Sequence, residues 1–311
     1  MTLDLPYPEE RLLKFIIKRR VPKDVLGHIL KEEAYLRGDM LREAINNPEE
    51  ILSILGYDKT RELSDNYFAS LPKYSVFLFE LNEAPFDSVD DLIERLEQKQ
   101  LKDKLYKFRR IRQVTRKPKV RLLYYNNLYE LMQILFYIRG KKREELDETG
   151  KIIKRYSLIR SIVTLRKEKI ADVRINGNLS MAAASLGEAL DLLSCKKKWR
   201  FLRFRDLDFI EKVLEFVDKV GYLTLEFSGP GLGKISYSGR RSKRRRYIAD
   251  LRTLGEVKDK IILAFKRGSI TRMHGYLEIN NPLFDKEVVF GINFRENKLY
   301  IFGKACEYSY N

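Results

Sequence analysis

The stretch "YSVFLFEL", Tyr74 to Leu81, marks the point where the grammar of the chain changes. It is a short aromatic and aliphatic run of strand length. Everything before it reads as short helices. "PEERLLKFIIKRR" opens with proline and acids and closes with cations, which suits the helix macrodipole. "PKDVLGHILKEEAYLRGD" puts Val25, Leu26, Ile29, Leu30 and Tyr35 close to one face and is expected to stop near Gly38. "NPEEILSILGYD" is a further short helix closing at Gly56. Together these predict a compact helical bundle.

After Tyr74 the pattern mixes strands and helices. "KVRLLYY", Lys119 to Tyr125, is a second strand-like run. Between it and the first lies "DSVDDLIERLEQ", whose Ser88 and Asp91 have capping-box spacing before an apolar stripe. Asp87, Asp90, Asp91 and Glu94 suggest a metal cluster, but helix-start acids explain them better. From about Lys151, "YSLIRSIVTL", "ADVRING" and "KWRFLRF" read as strands. "MAAASLGEALDLLS" and "DLDFIEKVLEFVDKVG" read as helices. The last third runs "YLTLEF", a Gly-Pro-Gly turn, "GKISYS", an arginine-rich loop, "RYIADL", the helix "LGEVKDKIILAFKRG" and three further strands. The expected class is α+β: a small N-terminal helical bundle, then a mixed α/β region with a curved antiparallel sheet and helices on one face. The expected regions are a helical domain at 1–72, a mixed α/β region at 73–205, and a C-terminal sheet with helices at 206–311.

Net charge is +17, from 61 Lys and Arg against 44 Asp and Glu. Such an excess repels itself unless a polyanion is near, which points first to nucleic acid and second to an anionic membrane. The longest uncharged apolar run, "LMQILFYI" at Leu131 to Ile138, is far short of the roughly 20 residues that span a bilayer. The N-terminus shows no secretory pattern, and two cysteines exclude a disulfide framework or cysteine zinc finger. An intracellular location is expected. Scarce Cys, Gln and His with abundant Lys, Glu, Arg, Ile and Tyr resemble thermophile usage.

The search for catalytic chemistry returns little. "SGPGLGKIS", Ser228 to Ser236, misses the phosphate-loop pattern at Ser228 and Ile235, so a hairpin turn is expected there. His28 and His274 belong to no metal-ligand spacing, and Glu256 and Lys258, spaced as in metal-dependent nucleases, fall on a predicted helix. No catalytic residue, cofactor or metal site is assigned.

The positive charge gathers in four tracts. "KFIIKRR" supplies Lys18, Arg19 and Arg20 at a helix end. "KDKLYKFRRIRQVTRKPKVR", Lys102 to Arg121, holds ten cations against one acid, among them Arg109, Arg110 and Arg112. "KKKWRFLRFR" interleaves Lys198, Arg200, Arg203 and Arg205 with Trp199, Phe201 and Phe204, rings that either face the core or stack on bases, the core being favoured. The loop "RRSKRRR" packs Arg240, Arg241, Lys243, Arg244, Arg245 and Arg246 into seven residues. One charge run is usually a solvated face. Four in one folded chain, rich in guanidinium forks that fit phosphate oxygens, favour phosphate contact.

Three stretches resemble the centromere protein N family, kinetochore proteins that bind nucleosomes carrying the centromeric histone H3 variant. They are "FIIKRRVPKDVLGHILKEEAYL", "LGEALDLLS" followed by "LRFRDLDFIEKVLEF", and "LEF" followed by "RYIADLRTLGEVKDKIIL". Together they cover about a quarter of the chain. The resemblance implies a pyrin-like helical domain, DNA and histone contact through Lys18, Arg19 and Arg205, and pairing with a related subunit through the C-terminal sheet. The Lys102–Arg121 tract and the arginine loop have no counterpart in it. The expected function is non-enzymatic binding of duplex DNA or chromatin, including histone-bound DNA. The alternatives are a nuclease or DNA-processing enzyme of a plasmid or virus, and an RNA-binding protein.

Overall fold

The computed structural model describes residues 5–70, 74–111, 113–146, 148, 152–204, 207–227, 233–239, 249–281 and 284–302. The architecture is α+β, with helices first and antiparallel strands after them. The described residues fall into two compact units, the first within Met1–Ser70 and Tyr74–Phe201, the second within Leu202–Asn311.

The first unit opens with α1 (Glu10–Arg20), α2 (Lys23–Glu33), α3 (Gly38–Asn46) and α4 (Pro48–Tyr67). Leu12, Leu13, Ile16 and Ile17 of α1 are buried, and α1 packs on α4. The second helix ends earlier than its apolar spacing predicts. Tyr35 takes the left-handed conformation (φ 54), and the Leu36 and Ala34 amides both donate to the Leu30 carbonyl. That is a helix stop of the kind usually built on glycine. Tyr35 is therefore 79 % exposed rather than on the buried face, and Gly38 begins the next helix instead of ending this one. Gly56 does interrupt a helix, at φ 74, but helical turns resume beyond it as far as Tyr67.

The strands of this unit are β1 (Ser75–Leu81), β2 (Lys119–Asn126), β3 (Leu131–Leu146), β4 (Ile152–Leu165), β5 (Ile170–Ile175) and β6 (Trp199–Phe201). Their order is β2-β3-β4-β5-β1-β6, with antiparallel pairing throughout. The run Leu131 to Ile138 is thus the first half of a long strand, and the third basic tract is extended only as far as Phe201. Two helices complete the unit, α5 (Val89–Gln98) and α6 (Leu179–Leu192). The Ser88 hydroxyl accepts from the Asp91 amide at 3.1 Å, capping α5. The Asp91 carboxylate accepts from the Asp87 amide and from Arg95 Nε, so this acid is engaged in starting the helix. Within the sheet, Asp172 lies between Arg166 and the fully buried Arg174. Burial pushes its carboxyl up, but the two guanidiniums more than offset that and hold it below the usual range.

The second unit holds α7 (Leu207–Phe216), β7 (Lys219–Phe227), β8 (Lys234–Ser238), α8 (Gly255–Arg267), β9 (Gly268–Asn281), β10 (Phe284–Asn293) and β11 (Lys298–Phe302). Its strand order is β8-β7-β9-β10-β11, again antiparallel. The segment predicted as the strand "RYIADL" differs in its described part. Asp250 caps a 3-10 turn at Leu251–Thr253, and its carboxylate also accepts from the Val220 amide, tying the turn to β7.

Candidate nucleic-acid interface

The first two basic tracts meet in the first unit, and aromatic side chains join them. Phe15 of α1 makes an edge contact with Phe108, centroids 4.9 Å apart. Lys18 and Arg19 lie three and four residues beyond Phe15, on the same side of the helix, and both are exposed. Phe108 belongs to a strip that runs along β2. The Tyr106 amide donates to the Leu123 carbonyl at 2.8 Å and the Arg109 amide to the Arg121 carbonyl at 2.8 Å. Main-chain bonds thus fix the strip that carries Lys107, Arg109 and Arg110. Arg110 and Lys107 are exposed and Arg109 is half-buried.

Arg121 locks this junction from below. A register shift between Val120 and Leu122 marks a bulge at Arg121. Its guanidinium lies 5.1 Å from the Phe108 ring centroid and 5.9 Å from that of Tyr137, and it donates to the Arg109 carbonyl. The Phe15–Phe108 contact thus brings the end of α1, with Lys18 and Arg19, beside the strip that carries Lys107, Arg109 and Arg110. Among the described residues none of these five side chains is in an ion pair.

The other candidates are placed differently. Arg20 is only 4 % exposed and is not a surface cation. Burial lowers its pKa, partly offset by its hydrogen bond to Tyr74, while Arg160 adds to the lowering. Its role is internal, wedging the end of α1 against the sheet. Arg200 is exposed but opposes Glu80 across the β1–β6 ladder and donates to it through Nε and Nη2. Lys196 and Lys197 pair with Glu83 and Asp191. Lys198 is exposed, but β6 lies five strands from β2, about 24 Å across the sheet at roughly 4.8 Å per strand. Arg203 is exposed and belongs to the second unit. Arg112, Arg205 and the whole loop from Arg240 to Arg246 lie outside the described residues. The rings of the third tract pack inward: Phe201 contacts Phe77 and Phe79, and Phe204 stacks on Phe209.

A second basic feature of the first unit escaped the sequence reading. Past Arg139 the β3–β4 ladder slips by one residue, Arg139 facing Leu158 and Lys142 facing Tyr156. Gly140 sits in this bulge, where a Cβ would lie 2.3 Å from Ser157 Oγ and 3.0 Å from Ile159 Cγ1. The slip turns Arg139, Lys141 and Lys142 toward a groove of about 530 Å³ that Arg116 also lines. An isolated glycine among cations, "YIRGKK" from Tyr137 to Lys142, is the signal that would have found it.

Within the described residues no group of three His, Cys, Asp or Glu side chains could hold a metal ion. No described helix is long and apolar enough to cross a membrane. No family model matches the chain, and comparison with curated proteins finds no match.

Proposed function

We propose that this protein is an intracellular nucleic-acid-binding module whose first ligand is duplex DNA, gripped through phosphates without chemistry of its own. The observation that carries the reading is the cluster of Lys18, Arg19, Arg109 and Arg110, exposed or half-exposed, without ion pairs among the described residues and joined by the Phe15–Phe108 contact. The net charge of +17 supports it, because like charges gathered on one surface raise the free energy of the isolated protein and are relieved by a polyanion. Binding would proceed by release of counterions from phosphates, and nothing in the cluster reads a base edge, so little sequence preference is expected.

The test is binding to a labelled duplex across a salt series, for wild type and for Lys18→Ala/Arg19→Ala/Arg110→Ala. Each lost phosphate contact flattens the log–log slope by about 0.9, so three lost contacts flatten it by about 2.7. Wild type that does not bind, or a variant with an unchanged slope, overturns the reading. Nucleosomal DNA in a parallel titration tests the histone-bound form that the family resemblance implies, and competition with structured RNA tests the order of preference.

A further inference from the structure

We infer that the groove at the β3–β4 bulge is a site for one unpaired nucleotide, taking its phosphates on Arg116, Arg139 and Lys141 and its base on Tyr156. The inference rests on the nucleic-acid reading above and adds a ligand form to it. The groove's volume of about 530 Å³ lies in the range of small-molecule sites. Four cations, Arg116, Arg139, Lys141 and Lys142, line it, and no acid among the described residues does. Lys142 pairs with Glu144 at 2.8 Å, but both partners are substantially exposed, so the pair is weak and yields readily to phosphate. Most of the remaining wall is apolar, formed by Ile138, Pro118, Met181 and Ala184, with Ser180 among them. Lysines and arginines alone would suit any polyanion. A mixed wall of this kind suits a ligand with an anionic end and a flat apolar body.

Tyr156 supplies the platform. Tyr156 is 50 % exposed, and the Arg139 guanidinium lies over one face of its ring at 4.7 Å from the centroid. The exposed remainder is available to a planar partner, and every base has such a face. A paired base is already stacked and has no face to offer, so the groove selects nucleotides that are bulged, flipped or single-stranded. The Gly140 bulge is what makes this possible, since it sets Tyr156 beside the cations of β3.

The test compares three probes: a fully paired labelled duplex, the same duplex with one bulged thymidine, and free thymidine monophosphate. Wild type is expected to bind the bulged duplex about tenfold more tightly than the paired one, within the range for a single base stacked on an aromatic ring. Tyr156→Ala should abolish that preference and leave binding to the paired duplex unchanged, while Tyr156→Phe should keep it. Arg139→Ala/Lys141→Ala should flatten the salt slope for the bulged duplex alone. Equal binding of the two duplexes by wild type, or an equal loss for both in Tyr156→Ala, overturns this inference and leaves the duplex interface standing. Binding of the monophosphate and not the paired duplex does the reverse, and binding of no probe overturns both.

Discussion

Asp65 makes the stability of the first unit depend on pH in a direction opposite to most carboxylates. The side chain is 4 % exposed, on α4, and its Oδ1 accepts from the Tyr124 hydroxyl at 2.6 Å. Burial is the largest influence on it and pushes its pKa from 3.8 to about 6, against the pull of Tyr124, Arg61 and the Leu128 and Asn127 amides. The folded state therefore holds this proton more tightly than the unfolded chain. Between pH 3.8 and about 6 the folded protein carries more protons, so stability falls as pH rises through that window and is level above it. At about 1.36 kcal/mol per pH unit, the change is about 3 kcal/mol. Asp65→Asn removes the titration while retaining an oxygen for Tyr124. Urea denaturation of both proteins from pH 4 to pH 7, followed by far-ultraviolet circular dichroism, reads the effect directly. The stability difference between wild type and variant should swing by about 2.4 kcal/mol toward wild type as the pH falls from 7 to 4, most of the full change. A difference that stays constant within about 0.5 kcal/mol would show that the carboxyl titrates alike in both states.

Two further changes test the packing. Asp172→Ala removes the carboxylate shared by the fully buried Arg174 and its neighbour Arg166, and should cost about 3–5 kcal/mol in chemical denaturation; a loss below about 1 kcal/mol would mean that the arginines' other contacts hold the site. In the second unit, a Cβ on Gly275 would lie 2.6 Å from Phe290 Cζ and 3.1 Å from Val217 Cγ1. Gly275→Ala should destabilise by about 1–3 kcal/mol, and adding Phe290→Leu should recover part of that loss; purely additive losses would rule out the clash.

Local signals carried much of the fold. Ser88 and Asp91 announced the start of α5, the run from Tyr74 to Leu81 announced β1, and both depend on neighbours within a few residues. Tyr35 shows where such reasoning stops, because its left-handed conformation ends α2 without the glycine that normally advertises it. The uncharged run from Leu131 to Ile138 is too short for a membrane span and shows no strand signal by itself, and its place in a long β3 comes from pairing with strands on both sides. For the interface, residue type told which side chains could meet phosphate but not which would be free to. Lys18, Arg19 and Arg20 are consecutive, yet helical rotation turns the third into the interior. The Phe15–Phe108 contact that unites two tracts spans 93 residues, and no spacing rule encodes it. Arg200 loses its availability to Glu80, 120 residues away.

The strip from Leu105 to Arg109 has a consequence apart from charge. β2 ends the strand order of its unit, and an outermost strand normally offers bare amides and carbonyls to any passing chain. Here the strip occupies that margin, bridging at Leu105–Leu123 and bonding again at Arg109–Arg121. The strip therefore acts as a guard against sheet extension by a second copy. A change that loosened its main-chain docking would first be seen as turbidity in a concentrated sample, with every lysine and arginine still in the sequence.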